Sequence, residues 1–229
     1  MNKMNGRNIT LHNTDFIGSV IDLSDVKIKG NKLVINLSPQ QLKILTCSIF
    51  NDKVQLSTLK PKDEFKIGDE VFIVLEQNGD RTEVISKEFA YNHTFGGNSC
   101  WKVSNIRTLL NDVYYNKIVK LVGENNIIIM KRDLTSLDGL DDYGICHDRI
   151  SLLSVSEYAK YHKILGLNSD YSDWWCLITP ASAPSNKFRH DICYVDDKGK
   201  VVSFGCNRFC GIRPFFTLTS SIMVIPNKG

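Results

Sequence analysis

The sequence lacks the features that identify several common classes of protein. It has no run of about 18 or more apolar residues, the minimum for a membrane-spanning helix, and its first residues contain no apolar core of a signal peptide. Gly96-Gly97 is not followed by the lysine of a phosphate-binding loop. We therefore expect a protein with no membrane span and no signal peptide that is synthesised and resides in a cytoplasm.

Basic residues are too sparse to indicate nucleic-acid binding. The 229 residues carry a net charge of +3, and their 42% hydrophobic and 23% charged content is ordinary for a globular protein. The first 60 residues contain eight Lys and Arg against four Asp, whereas the remainder contains 20 Lys and Arg against 21 Asp and Glu. Because a nucleic-acid site needs a dense basic face, we do not expect a nucleic-acid partner.

Cysteine is present in an odd number and without the density of a secreted disulfide framework. The seven positions are Cys47, Cys100, Cys146, Cys176, Cys193, Cys206 and Cys210. Most thiols are therefore expected to be reduced, as in a cytoplasm. Cys206 and Cys210 are close enough in sequence to form a disulfide, a metal clip or two packed thiols, and these alternatives remain open.

The N-terminal region has the pattern of a small strand-helix unit. Ile17–Leu23 and Leu33–Leu37 alternate apolar and polar residues on either side of a turn at Gly30. Ser38 then begins a capping box followed by a helical apolar pattern. We assign residues 1–60 to this extension and 61–229 to the main domain, with the boundary at Pro61. The extension is either an appended piece of the fold or a contact for attachment or oligomerisation.

The first half of the main domain contains a hairpin and a long helix. Glu70–Glu76 and Thr82–Phe89 are predicted strands around Asn78-Gly79, a strong two-residue hairpin signal. Trp101–Val122 is the longest helical pattern, and Ser104 is placed to cap it. The predicted buried face of this helix consists of Val103, Ile106, Leu110 and Val113.

Shorter elements follow. Ile127–Met130 is predicted to be a buried strand, and Ile150–Leu153 to be another. Ser154 and Glu157 have the spacing of a capping box, which predicts a helix over Val155–Leu165.

The C-terminal third consists of predicted short strands. Trp174–Ile178 is an aromatic and aliphatic run closed by Pro180, which cannot donate to a ladder. Ile192–Val195 and Val201–Phe204 flank a turn in which Gly199 can adopt a positive φ. The scaffold of this region is predicted to consist of Trp174, Trp175, Ile192, Tyr194, Val201, Phe204 and the segment 212–216.

Two predicted loops carry residues suited to recognition. The first contains Asn186, Lys187, Phe188, Arg189 and His190, and the second contains Asn207, Arg208 and Phe209. Exposed aromatic and arginine side chains dominate binding hot spots because they combine large contact area with directional donors. These eight residues are our candidate ligand-binding site. The alternative interpretation is that the two phenylalanines are buried anchors of the loops.

Other polar clusters give weaker signals. The segment 131–147 contains Asp133, Asp138, Asp141 and Asp142, which could supply oxygen ligands to calcium, although their spacing is not that of an EF-hand and most acidic loops are simply solvated.

The histidine and cysteine residues also do not form a recognisable catalytic or metal-binding pattern. Cys146-His147-Asp148 are neighbours in sequence, and such residues point in different directions and do not form a triad. His93 and His190 have no partner at metal-ligand spacing. We expect no catalytic residue, no resident metal and no cofactor.

Four motifs in the main domain resemble those of a known family. They are the helix segment CWKVSNIRTLLNDVYY, the step DRISLLSVSEYAKY, the hairpin YVDDKG at Tyr194–Gly199 and the closing GIRP at Gly211–Pro214. From about Lys66 onward the chain is similar to an uncharacterised domain family of Gram-positive bacteria and their phages. That family resembles the C-type lectin-like fold of formylglycine-generating enzymes and of the variable proteins of diversity-generating retroelements.

The resemblance implies a fold and two functional hypotheses. The expected fold class is α+β, a C-type lectin-like domain with short strands, two helices and long loops. The first hypothesis is a non-catalytic binding or structural module, phage-encoded or bacterial, whose loops contact a protein or glycan partner. Such a module would be a virion or receptor-binding component or an inhibitor of a host protein.

The second hypothesis is an oxidoreductase or metal-dependent enzyme of the formylglycine-generating type. It would use Cys206 and Cys210, with Arg208 between them to lower the thiol pKa. In the resembled enzymes the active cysteine pair lies well upstream of the closing strand, so the positions do not match.

Overall fold

A computed structural model describes residues 26–29, 32–35, 53–165, 174–186 and 190–227. The chain divides into two compact units, Met1–Asp52 and Lys53–Gly229. In the first unit, β1 (Val26–Lys29) pairs antiparallel with β2 (Lys32–Ile35). The second strand agrees with the predicted Leu33–Leu37, whereas the predicted strand Ile17–Leu23 and the helix after Ser38 lie outside the described residues.

The elements of the second unit are mostly short strands. The strands are β3 (Val54–Gln55), β4 (Glu64–Ile67), β5 (Glu70–Asn78), β6 (Arg81–Ser86), β7 (Tyr91–Thr94), β8 (Ile127–Ile128), β9 (Met130–Asp133), β10 (Ile145–Asp148), β11 (Ile150–Ser151), β12 (Trp175–Pro180), β13 (Asp191–Val195), β14 (Val201–Gly205), β15 (Phe209–Ile212), β16 (Phe215–Thr219) and β17 (Met223–Pro226). The helices are α1 (Asn105–Thr108), a π-helical turn (Leu109–Tyr114), α2 (Tyr115–Val122) and α3 (Val155–Leu165). The unit is thus a sheet-rich α+β fold. No helix in these described parts of the chain is long and apolar enough to cross a membrane.

The larger sheet has eight strands and is curled like half a barrel. Its order is β11-β16-β6-β5-β4-β17-β3, and β8 also pairs with β16. The predicted hairpin is confirmed by β5 and β6, with Gly79 at φ 63° in the turn. Because β3 pairs with β17 and Leu56 is fully buried, the stretch that precedes residue 60 belongs to the second unit. The boundary between the two compact units therefore lies after Asp52 in the sequence, not at Pro61.

The smaller sheet has five strands in the order β14-β13-β12-β15-β7. The predicted hairpin of β13 and β14 is confirmed, with Gly199 at φ 74°. Asp196 Oδ1 accepts hydrogen bonds from the backbone N–H of Lys198 and Lys200, at 2.9 and 2.8 Å, which closes the turn. The pairing of β12 with β15 is parallel. Strand β14 forms one edge of this sheet.

The predicted long helix forms, but its buried face differs from the prediction. Ser104 caps it by accepting from the backbone N–H of Arg107 at 3.0 Å. Val103 and Val113, predicted to be buried, are 68% and 59% exposed. The buried residues recur every four positions, at Ile106, Leu110, Tyr114 and Ile118. Because an α-helix has about 3.6 residues per turn, residues spaced by four move progressively around its axis. The wider π-helical turn has more residues per turn, so it keeps these four side chains on one face.

The segment Gly211–Pro214 connects the two sheets, and close packing determines which residue types fit there. A Cβ atom on Gly211 would lie 2.6 Å from the Phe89 ring, so only glycine fits there without displacing that ring. Arg213 is 2% exposed, donates from Nε to Ser86 O at 3.0 Å and lies 5.2 Å from the Trp175 ring. Pro214 immediately precedes β16, and its carbonyl accepts from Ser86 N.

A disulfide joins two strands of the smaller sheet. It connects Cys176 on β12 with Cys210 on β15, whose Cα atoms are 5.9 Å apart. Cys206 is a buried free thiol, so the pairing of Cys206 with Cys210 that the sequence left open does not occur. The bond closes a loop with a sequence separation of 34 residues.

Helix α3 begins at the predicted capping box, which also contains an ion pair. Ser154 N donates to Glu157 Oε2 at 2.7 Å, and Glu157 N donates to Ser154 Oγ at 3.2 Å. The Arg132 guanidinium binds both carboxylate oxygens of Glu157 at 2.6 Å. Burial alone would raise the pKa of Glu157, but the hydrogen bonds and charge of Arg132, with the Ser154 donors, hold it below the ordinary value.

The first prediction concerns the disulfide. Replacing Cys176 and Cys210 together by alanine should lower the free energy of unfolding by about 2–4 kcal/mol, because the unfolded chain gains conformational freedom. Urea unfolding measures the change, and Cys100→Ala, at a free and half-buried thiol, is the matched control. Thiol labelling of both Cys176 and Cys210 in the unreduced, denatured wild type would contradict the pairing.

The second prediction concerns acid stability. The pKa of Glu157 is lower in the folded chain than in the unfolded chain, where it is about 4.3. Its contribution to the free energy of unfolding is therefore fully present above a pH of about 4.3 and is lost as pH falls through the folded pKa. Glu157→Gln should cost roughly 3 kcal/mol at neutral pH, the low end for breaking a buried ion pair because Glu157 is partly exposed, and flatten the loss of stability on acidification. Urea unfolding at several pH values measures both effects, with the exposed Glu88→Gln as control. Parallel acid curves for wild type and Glu157→Gln would contradict this role.

Candidate functional site

The first predicted loop is described only at its ends. Asn186 is half-buried, and its Nδ2 donates to Asp138 Oδ2 at 3.3 Å. Lys187, Phe188 and Arg189 lie outside the described residues. His190 is exposed, and its carbonyl accepts from Cys206 N at 2.8 Å, which ties this loop to the end of β14.

The second predicted loop is described completely and is exposed. We call residues Gly205–Phe209 the β14–β15 connection. Asn207 and Arg208 are exposed, and the Arg208 guanidinium lies 4.9 Å from the Phe204 ring and 5.1 Å from the Trp174 ring. These cation-π contacts hold the arginine in place while its charge remains in contact with solvent.

Phe209 begins strand β15 and is 72% exposed, more than any other large hydrophobic residue in the described parts of the chain. Its ring centroid lies 6.4 Å from that of His93 on the adjacent strand β7. The interpretation of Phe209 as a buried anchor is therefore wrong. An exposed aromatic ring at this position is available to a partner.

The base of the β14–β15 connection is firmly held. Cys210, next to Phe209, forms the disulfide with Cys176 and is 2% exposed. Arg208 N donates to Gly205 O at 3.1 Å, and Gly205 O also accepts from the Tyr194 hydroxyl at 2.9 Å. Exposed side chains on a rigid base lose little conformational entropy on binding.

Sequence reasoning missed Phe204, Trp174 and His93 as neighbours of this connection. Phe204, predicted to be scaffold, is 39% exposed, and Val201 on the same strand is 36% exposed, because β14 is an edge strand. Trp174 is half-buried beneath Arg208, and His93 stands beside Phe209. Apolar identity alone carries no signal that distinguishes an edge strand from a central strand.

The acidic loop is a structural anchor. Asp138 Oδ2 accepts from Ser182 Oγ at 2.7 Å, and Asp142 accepts from the Ser185 backbone N–H and hydroxyl at 2.7 and 2.9 Å. Hydrogen bonds from Ser136 and Ser182 lower the pKa of Asp138. Among the described residues there is no group of three or more His, Cys, Asp or Glu side chains that could hold a metal ion.

Asp148 is the centre of a buried cluster. Its carboxylate is 4% exposed and accepts from Trp101 Nε1 at 2.7 Å, from Arg107 Nε at 2.9 Å and from Cys146 Sγ at 3.3 Å. His147 between them is exposed on the opposite face of β10. Cys146 and Asp148 therefore share one face of β10 and are in contact, contrary to the expectation that they point apart, whereas His147 points away from both, so the three side chains do not form a triad.

The buried free thiols are not activated nucleophiles. Burial raises the pKa of Cys193 to about 12. Burial, followed by the charge of Asp148, raises the pKa of Cys146 to about 12, and burial also raises that of Cys206. A raised pKa lowers the fraction of reactive thiolate. Cys210 is held in the disulfide, so it is not a free partner for Cys206.

Comparison with known proteins gives a family but no characterised relative. A family model described as a domain of unknown function, DUF6273, matches residues 70–220. This span begins at β5 and includes α1, α2 and α3 and both strands that flank the β14–β15 connection. No curated protein and no solved structure matches the chain. The chain belongs to the DUF6273 family of domains of unknown function.

Proposed function

We propose that this protein is a non-catalytic binding module that contacts its partner through the β14–β15 connection. The observation that carries the proposal is the 72% exposed ring of Phe209 beside a disulfide-bonded cysteine. Exposing a phenylalanine costs hydrophobic free energy, which a partner recovers by covering the ring. The adjacent Arg208 supplies charge and directional donors next to that ring.

The arrangement of aromatic rings favours a protein partner over a glycan. A sugar stacks on an open aromatic face, but the Trp174 ring already contacts Tyr194, Phe204 and Arg208. Phe209 projects as a single apolar residue beside cationic and amide groups, the combination typical of a protein hot spot. The partner that this surface fits is therefore a protein with an apolar pocket and an acidic rim.

The broader assignment follows the sequence resemblance. A C-type lectin-like domain places ligand-contacting residues on loops held by short strands, and the sheet-rich α+β fold with two helical regions is compatible with it. In this interpretation the protein is encoded by a phage or a bacterium and acts as a virion or receptor-binding component or as an inhibitor of a host protein. The first unit, residues 1–52, would attach it or assemble it into an oligomer.

The third prediction tests the contact surface. Phe209→Ser and Arg208→Gln should each weaken binding at least about tenfold, as expected for hot-spot residues, without changing the thermal unfolding midpoint. Val113→Ser is the matched control, since Val113 is 59% exposed on the π-helical turn. Immobilised wild type and variants are compared for retained host proteins, and affinity is then measured with the purified candidate.

Two outcomes would contradict the proposal. One is a host protein that all variants retain equally, which would place the contact surface elsewhere. The other is the absence of any bound protein together with a glycan that binds the wild type and binds Arg208→Gln more weakly. That result would show that the partner is a sugar and not a protein.

A further inference from the structure

A second site candidate lies between the long helix and the ribbon formed by β9 and β10. It is a solvent-open groove of about 340 Å³, at the small end of the ~300–1,000 Å³ range of ligand sites. Arg107, Asn111 and Tyr115 line it from the helical side, Ile129, His147 and Arg149 line it from the other, and the buried Asp148 also lines it. None of these residues belongs to the β14–β15 connection.

Arg107 is oriented from below by the buried Asp148. Its Nε and Nη2 atoms lie 2.9 and 2.8 Å from Asp148 Oδ1, and Nη1 donates to Lys102 O at 3.2 Å. The same carboxylate also accepts from Trp101 and Cys146. A guanidinium has five N–H donors, so this arrangement fixes Arg107 while leaving part of its donor set facing the groove.

Arg149 is oriented mainly by neutral groups. Its Nη1 donates to Ile127 O at 2.6 Å and to Glu124 O at 3.4 Å, and its guanidinium lies 5.6 Å from the Tyr115 ring. The Glu124 carboxylate is 3.5 Å away but 65% exposed, so solvent screens this ion pair. Arg149 therefore presents a fixed positive charge that is only weakly compensated.

The remaining walls add donors and an apolar surface. His147 is exposed and lies opposite Lys131, also exposed, in the register of β10 and β9. Ile129 is 53% exposed and lines the groove with the half-buried Tyr115. The groove thus combines fixed guanidinium donors with an aliphatic and aromatic wall.

We propose that this groove binds a small organic phosphate, with the phosphate between Arg107 and Arg149 and the organic body against Ile129 and Tyr115. A tetrahedral dianion uses donors from several directions, which suits two fixed guanidinium groups and an imidazole better than it suits a single planar carboxylate. Preoriented donors reduce the entropic cost of binding. The site is independent of the protein-binding proposal above.

Phenyl phosphate is the probe, titrated into the full chain at low salt and followed by NMR or calorimetry. We expect saturable binding in the millimolar range or tighter and at least about tenfold weaker binding for Arg149→Gln. Ile129→Glu should have a similar effect by placing a negative charge at an exposed position of the wall. Ile145→Glu is the matched control, because Ile145 is 46% exposed on the same ribbon but does not line the groove.

Each further result decides the proposal. Absence of saturable binding would overturn it. An equal loss of affinity for Ile145→Glu and Ile129→Glu would also overturn it, because the effect would then come from the added negative charge and not from the groove. Benzoate binding as tightly as phenyl phosphate would overturn the phosphate assignment, and inorganic phosphate binding equally well would overturn the role of the apolar wall. If Arg149→Gln fails to fold, Ile129→Glu decides by itself.

Discussion

The buried carboxylate of Asp148 is the interaction on which much of the main domain depends. An ionised carboxylate out of water is strongly unfavourable unless donors surround it, and here an indole, a guanidinium and a thiol do so. These donors come from the start of the helical region and from β10. One charge therefore connects the helix to the ribbon and orients Arg107 at the groove. Removing Arg107 would leave the buried carboxylate of Asp148 without its cationic partner.

Local features of the fold could be predicted from the sequence because their causes are local. Gly79 and Gly199 adopt the positive φ that their turns need, and Ser104 and Ser154 cap helices within three residues of their partners. The buried face of the long helix could not be predicted in full. Val103 precedes the Ser104 cap and so lies outside the helix, and the π-helical turn changes the period, so Tyr114 and Ile118 are buried and Val113 is not.

The candidate site was only partly predictable, for a related reason. Arg208 and Phe209 were identified because their residue types suit recognition, and both are exposed. Their neighbours Trp174 and His93 come from distant strands, so only the sheet order brings them together. Likewise, the partner of Cys210 is set by a parallel pairing of β12 with β15, whereas Cys206 is merely its neighbour in sequence. Sequence proximity has no bearing on such long-range pairings.

The parallel pairing of β12 with β15 has a consequence for the order of folding. The hairpin of β13 and β14 lies entirely within the segment that separates these two strands. A hairpin closes a short loop and forms in microseconds, whereas a parallel pair must first close the longer loop that contains it. The β13–β14 hairpin is therefore expected to form before β15 docks beside β12, and the pairing of β15 with β7 closes a longer loop still. Until β15 is paired, the chain holds no fixed platform for Arg208 and Phe209.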